Sequence, residues 1–238
     1  ARARDKLLAE NTDPESIFVT GNTVIDALQM MAGSGRPVPE ATRGLIEGIE
    51  ERLLLVTVHR RENQGVGFTQ ICSALERIVA EFPDVTLVWP LHPSPAVTQT
   101  ARQLLGNKER ILLIDPLDYF EFVPLMSRAD LIITDSGGIQ EEAAALSIPV
   151  LVTRDTTERP EGVDAGVARL VGVDADIIFQ SAGELLGSAT AYERMRRSAC
   201  PYGDGHSAER ICDALEYHFG FRDERPADFQ WQPAGEVG

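Results

Sequence analysis

Asp135-Ser136-Gly137-Gly138-Ile139-Gln140-Glu141-Glu142 lies between two stretches of different character. Leu131-Ile132-Ile133-Thr134 before it is an apolar run that reads as a buried strand. Ala143-Ala144-Ala145-Leu146 after it is built of good helix formers. The order is strand, glycine turn, helix. Such a turn aims the first N–H groups of the helix, which have no intrahelical partner, at whatever lies beyond the strand end. Gly137 and Gly138 leave room for a phosphate, and Ser136 can cap the helix or contact a ligand. Glu142, four residues after Gly138, shares its helix face. A carboxylate there can accept from both hydroxyls of a ribose. The same stretch also reads as a plain strand-to-helix turn with acids favoured by the helix dipole.

The pattern repeats on either side. Leu53-Leu54-Leu55-Val56-Thr57-Val58 is a continuous apolar run, as expected of a strand buried on both faces. Strands are expected at Val85–Trp89, Ile111–Ile114, Pro149–Val152 and Val167–Val171, with helices between them. Ile17-Phe18-Val19-Thr20 reads as one more short strand. Alternating strands and helices imply a Rossmann-like parallel sheet with helices on both faces, an α/β fold. Ligands of such sheets bind beyond the carboxyl ends of the strands. Residues 221–238, with Pro226 and Pro233, read as an irregular or disordered tail.

Composition narrows the partners. A net charge of −15 argues against nucleic acid and against anionic membrane surfaces. No apolar run is long enough for a membrane span. Cys72, Cys200 and Cys212 are odd in number and lack metal-ligand spacing, so a reducing cytoplasm is expected, with no metal and no cofactor. The chain opens without Met, in what reads as the middle of a helix, which points to residues upstream.

Other polar stretches also begin where strands end. His59-Arg60-Arg61-Glu62-Asn63 offers an imidazole and a guanidinium to a phosphate, or is a solvated loop with an Arg–Glu pair. His92, between Pro90-Leu91 and Pro93, reads by itself as structural. Asp155-Thr156-Thr157-Glu158-Arg159-Pro160-Glu161 offers Arg159 to a diphosphate, with Thr156 or Thr157 as hydroxyl donors. Phe122 suits a base-stacking position or the core.

Taken together, these segments resemble the bacterial non-hydrolysing UDP-N-acetylglucosamine 2-epimerases. Phe18-Val19-Thr20-Gly21-Asn22-Thr23-Val24-Ile25-Asp26 and Pro201-Tyr202-Gly203-Asp204-Gly205 match as well, with Cys200 where the family has Asn. The resemblance runs from residue 1 to about 218. It implies one half of a GT-B-like two-domain fold, with residues 1–20 connecting to a missing amino-terminal domain and 21–220 binding UDP. It implies interconversion of UDP-GlcNAc and UDP-ManNAc by UDP elimination and re-addition, and a homodimer when complete. By resemblance His59 is catalytic. Ser136, Gly137 and Gly138 bind the diphosphate, Glu142 the ribose, Arg159 the UDP side of the cleft, and Leu117 and Phe122 the uracil. Arg60 and His92 match residues of a second, activating UDP-GlcNAc site. The proton-moving carboxylates of the family belong to the other domain. The alternatives are a hydrolysing epimerase, a GT-B glycosyltransferase donor domain, and a non-catalytic nucleotide-binding remnant.

Overall fold

The structure, a computed structural model, describes residues 2–197 and 199–231. Six parallel strands form one sheet in the order β3-β2-β1-β4-β5-β6. They are β1 (Arg52–Thr57), β2 (Val85–Pro90), β3 (Ile111–Ile114), β4 (Leu131–Thr134), β5 (Val150–Val152) and β6 (Ala168–Leu170). The chain builds outward from β1 to β3, then returns to place β4 on the other side of β1. Leu54 pairs with Leu87 on one flank and with Leu131 on the other. The reversal of strand order between β1 and β4 opens a crevice at their carboxyl ends.

Eleven helices are described. They are α1 (Arg2–Ala9), α2 (Thr23–Gly33), α3 (Glu40–Glu47), α4 (Val66–Glu81), α5 (Pro95–Leu105), α6 (Tyr119–Arg128), α7 (Gly137–Ala145), α8 (Pro160–Asp164), α9 (Ala175–Gly187), α10 (Ala189–Arg196) and α11 (Ser207–His218). Alternation along β1 explains its unbroken apolar run. Leu54 and Val56 point to one face, with Ile71 and Leu75 of α4, Ala101 of α5 and Ile178 of α9. Leu53 and Leu55 point to the other, with Ile25 of α2, Leu125 of α6 and Ala143 of α7. Both faces are covered, so a polar residue on either would lie in the core. Each Leu fully buried there contributes about 1.5–3 kcal/mol.

Side chains set the helix starts. Asn22 accepts from Val24 N at 3.0 Å to cap α2, and Asp118 accepts from Glu121 N at 3.0 Å to cap α6.

Ile17–Thr20 is not a strand. It is extended, but it has no place in the sheet. Val19 N donates to the Asp228 carboxylate at 2.9 Å, and Val19 O accepts from Phe229 N. A side-chain acceptor on one side of Val19 stops a backbone ladder from propagating. The tail is irregular as far as Trp231, and it is docked. Arg225 donates to the carbonyls of Glu15 and Ile17, both at 2.6 Å, with its guanidinium 4.2 Å from the Phe18 ring centre. Trp231 Nε1 donates to Ala199 O at 3.3 Å. The rest of the expected tail, residues 232–238, lies outside the described residues.

Candidate functional site

A cleft of about 230 Å³ opens over the carboxyl ends of β1 to β4. His59 follows β1, His92 follows β2, Leu117 and Phe122 follow β3, and Ser136 follows β4; all five line it. Leu117 and Phe122 form an apolar wall, half-buried against the core. The rings of His59 and His92 stack across the opposite side, 5.0 Å between centres. His92 Nδ1 accepts from Ser94 N at 3.2 Å, so in the neutral ring the proton sits on Nε2.

The start of α7 borders the same cleft through Ser136. Ser136 occupies the N-cap position, yet its side chain makes no capping hydrogen bond. Its backbone N–H is taken by Thr134 Oγ1 at 2.9 Å. Of the two roles open to Ser136, cap or ligand contact, the side chain does not take the cap. A Cβ built on Gly137 would meet nothing nearer than Arg159 Cζ at 4.0 Å, and one on Gly138 nothing nearer than Ser136 Oγ at 4.0 Å. The packing of the protein itself does not require glycine at either place. What the two glycines preserve is open space over orphan N–H donors at a positive helix end.

Arg159 reaches this helix start from the loop after β5. Its Nε pairs with Glu141, which is buried. Gln140 fastens the same loop: its Nε2 donates to Ser136 O at 3.1 Å and its Oε1 accepts from Thr157 Oγ1 at 2.9 Å. Of the two candidate hydroxyl donors, Thr157 is thus committed inside the protein, and Thr156 is exposed. Arg159 also lies beside the cleft rather than in its lining.

Glu142 is buried on α7, and burial pushes its carboxyl above the usual carboxylate range. A hydrogen bond from Tyr119, at the start of α6, opposes that rise, while the charge of Glu141 adds to it. Tyr119 in turn is raised, first by burial and then by the carboxylate it donates to. Glu142 does not line the cleft directly. Arg60 turns to the rim, 3.6 Å from Glu158, and Arg154 bonds both Glu62, at 2.9 Å, and Glu158. The loop after β1 therefore has its Arg–Glu pairing as well as its cleft-facing imidazole.

Two residues in the quoted stretch carry more of this arrangement than their sequence context suggests. Gln140, on an otherwise apolar helix face, is one. Asp135 is the other: fully buried, it accepts from the backbone N–H groups of His59 and Arg60. An acid directly after an all-buried strand was the available signal. Among the described residues no group of three or more His, Cys, Asp or Glu is placed to hold a metal ion. No helix among them is long and apolar enough to cross a membrane.

Comparison with known proteins agrees with this geometry. The family model described as UDP-N-acetylglucosamine 2-epimerase matches residues 1–216. The UDP-N-acetylglucosamine 2-epimerase of Bacillus subtilis (strain 168) is 45% identical over 228 residues, covering 96% of this chain and 59% of that protein. A structure of S. aureus MnaA with UDP superposes with a TM-score of 0.89 at 39% identity, covering 96% of this chain and 61% of that one. The Neisseria meningitidis UDP-GlcNAc 2-epimerase bound to UDP-GlcNAc gives a TM-score of 0.82 at 38% identity, over 90% of this chain and 58% of that one. The chain thus spans about 60% of the length of the proteins it matches. With motifs, strand order and family model in agreement over residues 1–216, the chain belongs to the UDP-N-acetylglucosamine 2-epimerase family.

Proposed function

We propose that this chain is the UDP-handling part of a UDP-GlcNAc 2-epimerase that interconverts UDP-GlcNAc and UDP-ManNAc. The observation that carries the proposal is the open cradle at the start of α7, where neither glycine is required by packing. The ligands named for the S. aureus and N. meningitidis structures support the same reading. In this reading residues 1–20 connect to a second domain, residues 21–220 bind UDP, and the complete enzyme is a GT-B-like homodimer. Three unpaired cysteines fit a cytoplasmic setting.

The division of labour follows from the chemistry. Epimerisation at sugar carbon 2 begins with loss of its proton and cleavage of the bond from carbon 1 to the diphosphate oxygen. UDP leaves, and a 2-acetamidoglucal remains. Negative charge grows on the departing phosphate, where the N–H groups of Gly137 and Gly138, the Arg159 guanidinium and a ring N–H of His59 stabilise it. Leu117 and Phe122 flank the uracil, and Glu142 accepts from the ribose hydroxyls. UDP then re-adds while the proton returns to the other face of carbon 2. Removing that proton needs a positioned base, and the glutamates near the rim, such as Glu62, are solvated.

The test is proton NMR of UDP-GlcNAc in D2O with the purified chain, beside titration calorimetry with UDP. UDP binding without deuterium at carbon 2 is expected. Deuterium incorporation would show that this chain holds its own base, and absence of UDP binding would remove the proposal.

A further inference from the structure

We propose that Asp135 is a positioning residue: it holds His59 and Arg60 at a set distance from the phosphate-facing start of α7. The inference rests on the reading of that helix start as a diphosphate site. Asp135 occupies the first position after β4, a strand whose four residues are all buried, and is itself fully buried. A carboxylate so placed is costly unless its oxygens are multiply bonded. Here one oxygen does most of that work. Oδ2 accepts from His59 N at 3.0 Å, from Arg60 N at 2.8 Å and from Asn63 Nδ2 at 2.9 Å. Oδ1 adds a longer contact with His59 N at 3.2 Å.

The geometry goes beyond tying down a loop. The next residue in the chain is Ser136, the N-cap of α7. A single side chain thus joins the two halves of the candidate site, one covalently and the other by hydrogen bonds. The strands beneath are locked at the same level. Thr57 and Thr134 are register partners in β1 and β4, and their hydroxyls bond at 2.7 Å. Asn63 extends the tie to the end of β5, donating also to Thr153 O at 3.3 Å. The loop that carries His59 has no strand or helix beyond one short turn to fix it, so Asp135 supplies the constraint. For a group stabilising a leaving phosphate, a small displacement weakens the interaction steeply.

Two variants of the full 238-residue chain separate positioning from mere stability. Asp135→Ala leaves the two backbone N–H groups and Asn63 without their acceptor. Asp135→Asn keeps an oxygen for the Oδ2 position and so rescues most of the arrangement. The readouts are UDP affinity by calorimetry and the NMR resonances of the His59 ring and of the His59 and Arg60 amides. Asp135→Ala is expected to lower UDP affinity about tenfold or more, the scale of a lost charge-assisted hydrogen bond, and to shift those resonances. Asp135→Asn is expected to stay within about threefold of wild type. Should Asp135→Ala not fold, Asn63→Ala removes one of the donors instead; it is expected to shift the His59 and Arg60 amides in a folded chain. Folded Asp135→Ala with wild-type affinity and unmoved His59 resonances overturns the proposal, as do unmoved amides in Asn63→Ala. If the wild-type chain binds no UDP, the functional reading fails, and the resonances alone still decide whether Asp135 places His59.

Discussion

The imidazoles of His59 and His92 stack with their centres 5.0 Å apart and their planes inclined by 28°. They come from the ends of neighbouring strands, β1 and β2, so the pairing of those strands sets their separation. His92 has its own anchor in Ser94 N–H. One face of the His59 ring is therefore backed by a fixed partner while its loop is held from below. If His92 belongs to an activator site and His59 to the reaction, the two sites meet in this ring contact.

In a two-domain epimerase carrying this site, His59→Asn is expected to slow turnover by roughly two to four orders of magnitude, the range for acid–base and electrostatic groups. Steady-state kinetics on UDP-GlcNAc check this, and normal turnover would leave His59 as a structural loop residue.

Gly138→Ala separates a ligand requirement from a folding requirement. An added Cβ has open space and no positive φ to strain it. Alanine is the better helix former by up to about 1 kcal/mol. Thermal stability is expected to hold or rise while UDP affinity falls several-fold, because the methyl group stands where a phosphate would approach. Calorimetry and melting curves on the same sample check both halves.

Glu142→Gln is expected to exchange affinity for stability. Burial raises the Glu142 carboxyl above its usual value, so the folded chain binds that proton more tightly than the unfolded chain. Its contribution to stability is present below the usual carboxyl value and is lost as pH rises through the raised one. Glutamine removes the ionisation, so the melting temperature at neutral pH rises, by about 2–4 °C for each kcal/mol relieved. UDP binding weakens by about 2 kcal/mol through loss of the charged acceptor. The gap in melting temperature between wild type and variant narrows toward acid, which a pH series of melting curves reads directly.

Asp228→Ala tests the docked tail. It removes the acceptor of Val19 N–H and the partner of Arg4 at 2.9 Å. Losing the part-buried backbone bond costs about 1–3 kcal/mol, measured by urea denaturation. The tail's partners Arg4, Glu15, Ile17, Val19 and Ala199 are neither in the cleft lining nor among the residues assigned to UDP, so UDP affinity should not change.

What could be read from the sequence divides by range. Leu53–Val58 announced a central strand because burial on both faces leaves an unbroken apolar run, and the glycine turn after Thr134 announced the helix that faces the cleft. Those signals are local. Ile17–Thr20 misled because an apolar, β-branched segment fits any extended setting, and its partner, Asp228, lies 209 residues away. The Thr157 hydroxyl was equally unreadable, since nothing in its neighbourhood shows that Gln140 takes it. Asp135 was visible as a letter, but no periodicity marks one oxygen that receives three donors.

The strand order has a consequence for how the molecule is made. During synthesis β1, β2 and β3 emerge in turn and pair as neighbours. The other flank of β1 stays open until β4 arrives, 77 residues after it. For that interval the growing chain presents an unpaired apolar strand edge, the feature that invites aggregation. The hydrogen bond from Arg4 to Asp228 spans 224 residues, so it too waits on chain made long after its donor. Non-local pairing of this kind slows folding, and the arrival of β4 is the step that closes the exposed edge of β1.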